Sequence, residues 1–189
     1  MIPDKYIELM NQEIDGANSP AARSLHHAYV GGLLEHTLSM VEIARFMAGH
    51  YPYVNRNLLI TGVLLHDMGK AHEYVTGVSF DFTDDGRLIG HITRAAIMVE
   101  LAAAELGTFS EEELRLLVHL IISHHGTREW GSPAVPKTLE AILLHQADLL
   151  DSRVQGYFDH LHGDSAGGLW TSKPGFMFST ELRRPPGFK

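Results

Sequence analysis

Apolar residues recur along this chain mostly at helical spacing, and strict apolar–polar alternation is almost absent. Residues 3–14 read as a short helix, closed by the turn Asp15-Gly16-Ala17-Asn18-Ser19-Pro20. Val30, Leu33, Leu34, Leu38, Val41 and Ile43 predict a helix over 28–49 that ends before Tyr51-Pro52. Residues 56–68 read as a third helix, apolar from Leu58 to Leu65 and therefore buried on every side. Between 74 and 90, Val78-Ser79-Phe80-Asp81-Phe82 followed by Asp85-Gly86 reads as a small hairpin or loop, the one strand signal present. An Ala-rich helix follows over 92–106, and Ser110 with Glu113 makes a capping box that starts a helix running to about Ser123. Pro136 suits the first turn of a last long helix through Asp148 to about His160. The pattern predicts one all-α domain over 1–189, a helical bundle with core about 24–162 and an irregular tail over 163–189.

A chain of 189 residues with 44% hydrophobic content can enclose a core and a cleft. No apolar stretch has membrane-spanning length, and Met1-Ile2-Pro3-Asp4-Lys5 is not the start of a secretory signal, so no membrane association and a cytoplasmic location are expected. With no cysteine, disulfides and thiolate metal sites are excluded, and any metal must be held by nitrogen and oxygen. A formal charge of −8 argues against a nucleic-acid coat with a basic face. It fits better a small phosphoester taken into a pocket made positive by bound cations.

The chemistry concentrates in a few places. His66-Asp67 closes the apolar run of the third helix, and burying an imidazole and a carboxylate there is costly without a partner. A metal ion satisfies both. His36 lies in the middle of the preceding apolar helix, and His91, the doublet His124-His125 and Asp148 come later, each on or beside a separate helix. Singly, His36 or His91 would be an ordinary packed histidine. Because the chain has 13 histidines, position and not number carries the argument. Five histidines and two aspartates brought together by a bundle are what a pair of divalent cations requires.

This ordered set resembles the HD-domain metal-dependent phosphohydrolase superfamily. The match is closer to the HD module of the bacterial YhaM-type 3′→5′ exoribonucleases. The likeness runs through His26-His27-Ala28-Tyr29-Val30-Gly31-Gly32-Leu33, the segment 51–70, Gly90-His91-Ile92, Ser123-His124-His125-Gly126, Glu129-Trp130-Gly131-Ser132-Pro133 and Pro136-Lys137. It implies that His36, His66, Asp67 and Asp148 bind one metal and that His91, His124 and His125 bind a second. Asp67 bridges the two, because a carboxylate has two oxygens and an imidazole cannot bridge. Asp148 is the implied ligand over Asp151, which lies three residues on along the same helix face and is left to orient a neighbour or cap. Imidazole with carboxylate suits Mn, Fe, Co, Ni or Zn rather than Mg or Ca.

The resemblance also implies hydrolysis of a nucleotide or short-oligonucleotide phosphoester by a metal-activated water, with Asp67 and Lys70 as catalytic residues. Lys70, one turn past His66 and placed at the mouth of the site, would meet a phosphate oxygen. In the glycine-flanked loop after the doublet, Arg128 would clamp a phosphate and Trp130 would stack on a base, although a lone tryptophan more often fills a core. Members of that exoribonuclease family carry an N-terminal OB-type domain for which this chain has no room, so long nucleic acid is an unexpected substrate without a separate binding domain. The alternatives are di-iron oxygenase chemistry on the same scaffold and a non-catalytic metal- or ligand-binding module.

Overall fold

The computed structural model describes residues 4, 5, 7, 32–75, 81–173 and 179–188. Its elements are α1 (Gly32–His50), α2 (Arg56–Leu65), α3 (Lys70–Glu73), β1 (Tyr74–Val75), β2 (Asp81–Phe82), α4 (Asp84–Leu88), α5 (His91–Leu106), α6 (Glu111–Ser123), a 3₁₀ turn at Arg128–Trp130, and α7 (Leu139–Gly163). The fold is all-α, as expected. Asp4, Lys5 and Ile7 are helical, while the rest of the first predicted helix, the turn at 15–20 and His26-His27 lie outside the described residues.

Helix α2 occupies the middle because it has no polar face to give to water: Leu58 through Val63, and Leu65, are all buried. It packs on α1, α6 and α7, while α5 packs on α6. Leu59 and Val63 of α2, Leu117 and Leu120 of α6, Leu144 of α7, Met40 of α1 and Val99 of α5 form one contiguous core. Asn55 fixes where α2 begins. Its Oδ1 accepts from Leu58 N at 3.1 Å, and its own N–H donates to Glu140 at the start of α7 at 2.7 Å.

Several boundaries differ from the sequence pattern. Helix α2 ends at Leu65, and His66–Gly69 form a turn before the four-residue α3. In α1 the buried face is Leu33, His36, Met40 and Ala44, so Leu34 and Leu38 point outward although both fit the apolar spacing. The strand signal is a two-residue antiparallel ladder pairing Tyr74 with Phe82 and Val75 with Asp81. Asp85-Gly86 is not a hairpin turn: Thr83 caps α4 by accepting from Gly86 N at 2.8 Å. Pro136 lies outside α7, whose cap is Thr138, accepting from Ala141 N at 3.2 Å. No helix among the described residues is long and apolar enough to cross a membrane.

The predicted capping box is present. Ser110 Oγ accepts from Glu113 N at 3.2 Å, and Glu113 Oε2 accepts from Ser110 N at 3.0 Å. Glu113 also takes an ion pair from Lys5. The Lys5 and Ser110 hydrogen bonds bring the Glu113 carboxyl from its ordinary 4.5 down to about 2. A carboxyl lowered on folding contributes stability above its unfolded value and loses it as pH falls through the folded one. Glu113→Gln is therefore expected to unfold at lower urea than the wild type at pH 6, and the gap should close between about pH 4.5 and 2. A gap of constant size over that range would mean that the carboxylate charge contributes nothing.

Candidate metal centre

Four helix ends and two helix interiors converge on Asp67. The carboxylate is 3% exposed and sits in the turn after α2. Its Oδ2 lies 3.4 Å from His66 Nε2 and 3.9 Å from His36 Nε2. Its Oδ1 lies 3.6 Å from His91 Nε2 and 3.5 Å from His124 Nε2. Asp148, from the middle of α7, stands 3.5 Å from His36 Nε2. Each oxygen of Asp67 thus faces a different pair of histidines. Three trios place a ligating atom of each member within 4.8 Å of one another: His36, His66 and Asp67; His91, His124 and His125; and His66, His124 and Asp148.

Two close backbone approaches make this convergence possible. Gly69 brings the turn against the start of α5, where a Cβ would come within 2.1 Å of His91 O and 2.9 Å of Ala95 N. That contact places Asp67 beside His91. Gly126, at φ +80°, turns the chain after the doublet, and a Cβ there would strike the His145 ring at 2.2 Å. The same His145 ring donates from Nδ1 to His124 O at 2.8 Å, so α7 supports the doublet from beneath.

All five histidines have their Nδ1 engaged away from the centre. His36 donates to Asp151 Oδ2 at 2.7 Å and His91 to Glu73 Oε1 at 2.9 Å. His66, His124 and His125 donate to the carbonyls of Val63, Ile121 and Trp130, each at 2.7 Å. An acceptor at Nδ1 fixes the proton there and leaves Nε2 as the lone-pair edge. The Nε2 atoms of His66, His91 and His124, together with Asp67 Oδ1, are buried and make no hydrogen bond. Buried polar atoms are almost always partnered, so these four atoms, gathered about the two sides of Asp67, fit ligands awaiting cations.

The electrostatics agree with that fit. Burial pushes His124 from its ordinary 6.5 down to about 4, and burial likewise lowers His125, which keeps both rings neutral and able to donate a lone pair. Burial would also lower His66, but the adjacent Asp67 outweighs it and raises the ring. Burial would raise Asp67, yet the ammonium of Lys70 and the His66 ring hold it well below the carboxylate range. Asp148 follows the same course, its burial outweighed by His36 and His66.

Several placements revise the sequence reading. Lys70 is not at a mouth: it is 7% exposed, with Nζ 2.5 Å from Asp67 Oδ2. It sits inside because the turn His66–Gly69 interrupts α2 and α3 packs against α5 instead of continuing it. Trp130 does not fill the core. It is half exposed, its ring 6.1 Å from that of His145, and its backbone carbonyl holds His125. Arg128 is exposed beside it. Asp151 is buried and orients His36, with Ser39 on its other oxygen. Sequence reasoning missed Glu73 altogether, since a glutamate 18 residues before His91 follows no local pattern.

The HD-domain family model matches residues 33–153. The 3′-5′ exoribonuclease YhaM of Bacillus pumilus is 46% identical over 138 residues, covering 73% of this chain and 44% of its own. Its counterpart in Bacillus subtilis is 45% identical over 142 residues, covering 75% and 45%. That of Listeria welshimeri is 44% identical over 146 residues, covering 77% and 46%. The chain therefore spans less than half the length of these relatives. No solved structure matches it.

Proposed function

The chain belongs to the HD-domain family, and we propose that it is a metal-dependent phosphohydrolase that shortens RNA from its 3′ end. The observation that carries this reading is the bridging position of Asp67, one oxygen toward His36 and His66 and the other toward His91 and His124. Divalent ions of the Mn, Fe, Co, Ni or Zn type fit this donor set of imidazole and carboxylate. His36, His66, Asp67 and Asp148 would hold one, and His91, His124 and His125 with Asp67 a second. Bound there, such ions activate water and neutralise charge on the phosphoryl oxygens.

The chain's own groups then supply the rest. The five Nδ1 hydrogen bonds hold each imidazole in place, so no reorganisation is needed when substrate arrives. Lys70 keeps Asp67 ionised and adds positive charge against the developing charge on phosphorus. Arg128 and Trp130 are exposed next to the His124-His125 turn and would meet phosphate and base.

The name shared by relatives at 44–46% identity supports an RNA substrate. It also removes the ground for expecting only nucleotides and short oligomers, an expectation that rested on composition and length. Oxygenase chemistry gains no support from that name.

Protein purified without added metal, then equilibrated with Mn²⁺, is expected to carry two ions per chain by elemental analysis. It should then release nucleotides from the 3′ end of 5′-labelled RNA, both short and long. At most one ion per chain in excess Mn²⁺ would rule out the paired site. A loaded protein that cleaved no phosphoester at all would rule out hydrolysis.

A further inference from the structure

The paired site needs His91 to offer Nε2 toward Asp67, yet His91 is the first residue of α5 and its N-cap, Gly90, has no side chain to steady it. Glu73 supplies what is missing. Its Oε1 accepts from His91 Nδ1 at 2.9 Å and from His91 backbone N at 3.2 Å, so one carboxylate holds the ring and the helix start together. His91 Nε2 then lies 3.6 Å from Asp67 Oδ1. Glu73 itself is 6% exposed, and its Oε2 is buried without a hydrogen bond. Gly90 holds φ +75° and ψ 155°, a conformation essentially closed to a residue with a side chain, so position 90 cannot supply its own capping serine or aspartate and the start of α5 draws its acceptor from elsewhere. Burying a carboxylate is costly, and in this place the cost is offset by a capped helix start together with a fixed orientation of the His91 ring.

The hairpin insertion fixes Glu73 in turn. Its carbonyl accepts from Thr83 N at 3.0 Å, and Thr83 Oγ1 donates to the neighbouring His72 O at 2.6 Å. Gly86 packs so tightly that a Cβ there would lie 2.4 Å from Glu73 O. The insertion between α3 and α5 therefore locks the glutamate on one side and delivers His91 on the other. On the far side of the site, Asp151 stands in the same relation to His36.

We propose that Glu73 is a positioning residue that holds His91 in the Nδ1–H form with Nε2 turned to Asp67, and so sets the affinity of the His91–His124–His125 metal position. This rests on the two-ion reading above. A carboxylate behind a ligating histidine commonly governs metal affinity by ten- to hundredfold.

The test uses the full chain with Glu73→Ala and the isosteric Glu73→Gln. In metal-free protein labelled with ¹⁵N-histidine, two-bond proton–nitrogen spectra should show His91 protonated at Nδ1 in the wild type and shifted toward the Nε2–H form in Glu73→Ala. On titration with Mn²⁺, Glu73→Ala should weaken one of the two ions about 10- to 100-fold while leaving the other unchanged. Glu73→Gln keeps an acceptor and should weaken it less, which preserves the test if the alanine variant fails to fold. An unchanged His91 tautomer and unchanged affinity in the folded variants would overturn the proposal, as would equal loss of both ions, which marks a merely structural role. Should the wild type bind a single ion, the two-ion reading fails on its own, and the tautomer spectra still decide whether Glu73 governs His91.

Discussion

Asp67→Ala is expected to abolish phosphoester hydrolysis and to drop metal content below one ion per chain. Among the described residues, Asp67 is the one group whose two oxygens face both halves of the histidine cluster. Removing a single electrostatic contact in an active site costs roughly 10²- to 10³-fold in rate. Loss of the bridge should exceed that, because both proposed ions depend on it. The substitution also leaves the Lys70 ammonium buried without its carboxylate. Breaking a buried pair from one side costs about 3–5 kcal/mol, so a lower unfolding midpoint should accompany the loss of activity. Asp67→Asn, which keeps the volume and one oxygen, separates the two effects: it should fold better than the alanine variant and still lack turnover. Metal analysis and rates on 5′-labelled RNA, measured side by side on both variants, give the answer. An alanine variant holding two ions and turning over RNA would end the bridged model.

The site was legible from the sequence because its side chains are individually out of place. An imidazole next to a carboxylate at the end of Leu58–Leu65, and a histidine inside α1, make no sense in a bundle interior unless they meet something. The structure brings these three together with His91, His124, His125 and Asp148. The helices were legible for the same reason their boundaries were not. Apolar periodicity reports burial, which α2 shows from Leu58 to Val63 and again at Leu65, but the place where it stops depends on tertiary contact. The turn His66–Gly69 follows from Gly69 meeting the backbone of α5, and nothing in the local sequence announces that approach. In α1, Leu34 and Leu38 satisfy the same spacing as inward-facing Leu33, Val41 and Ile43, so periodicity alone could not tell these two outward residues from the rest.

What stayed hidden was the layer behind the histidines. The supporting acceptors are mostly backbone carbonyls, those of Val63, Ile121 and Trp130, and a carbonyl has no sequence signature. Of the two carboxylates in that layer, Asp151 could be suspected because it shares a helix face with Asp148. Glu73 could not, because its partner lies across an insertion. Trp130 was singled out for its ring, yet in the structure its main-chain oxygen is what touches the cluster.

Lys70→Ala is expected to destabilise the metal-free protein by about 3 kcal/mol or more, an effect that bound metal should largely reverse. Lys70 is buried with Nζ 2.5 Å from Asp67 Oδ2, and it is the first of the cationic influences that hold that carboxylate ionised despite its burial. Without it, Asp67 keeps its negative charge inside the fold with only histidines near it, and removing one partner of a buried pair carries a cost of about 3–5 kcal/mol. Divalent ions at Asp67 would supply the missing positive charge, so the gap from the wild type should shrink as Mn²⁺ is added, through binding to the folded state alone. Activity should behave differently. In the loaded protein the lysine's remaining contribution on the proposed reading would be charge opposite the phosphoryl group, and its loss should lower kcat by roughly 10²- to 10³-fold. Urea unfolding with and without Mn²⁺, alongside kcat on the same preparations, separates the two roles. A stability gap of equal size in both conditions would mean that Lys70 props the fold independently of the metal centre, and an unchanged kcat would leave it with no part in the chemistry.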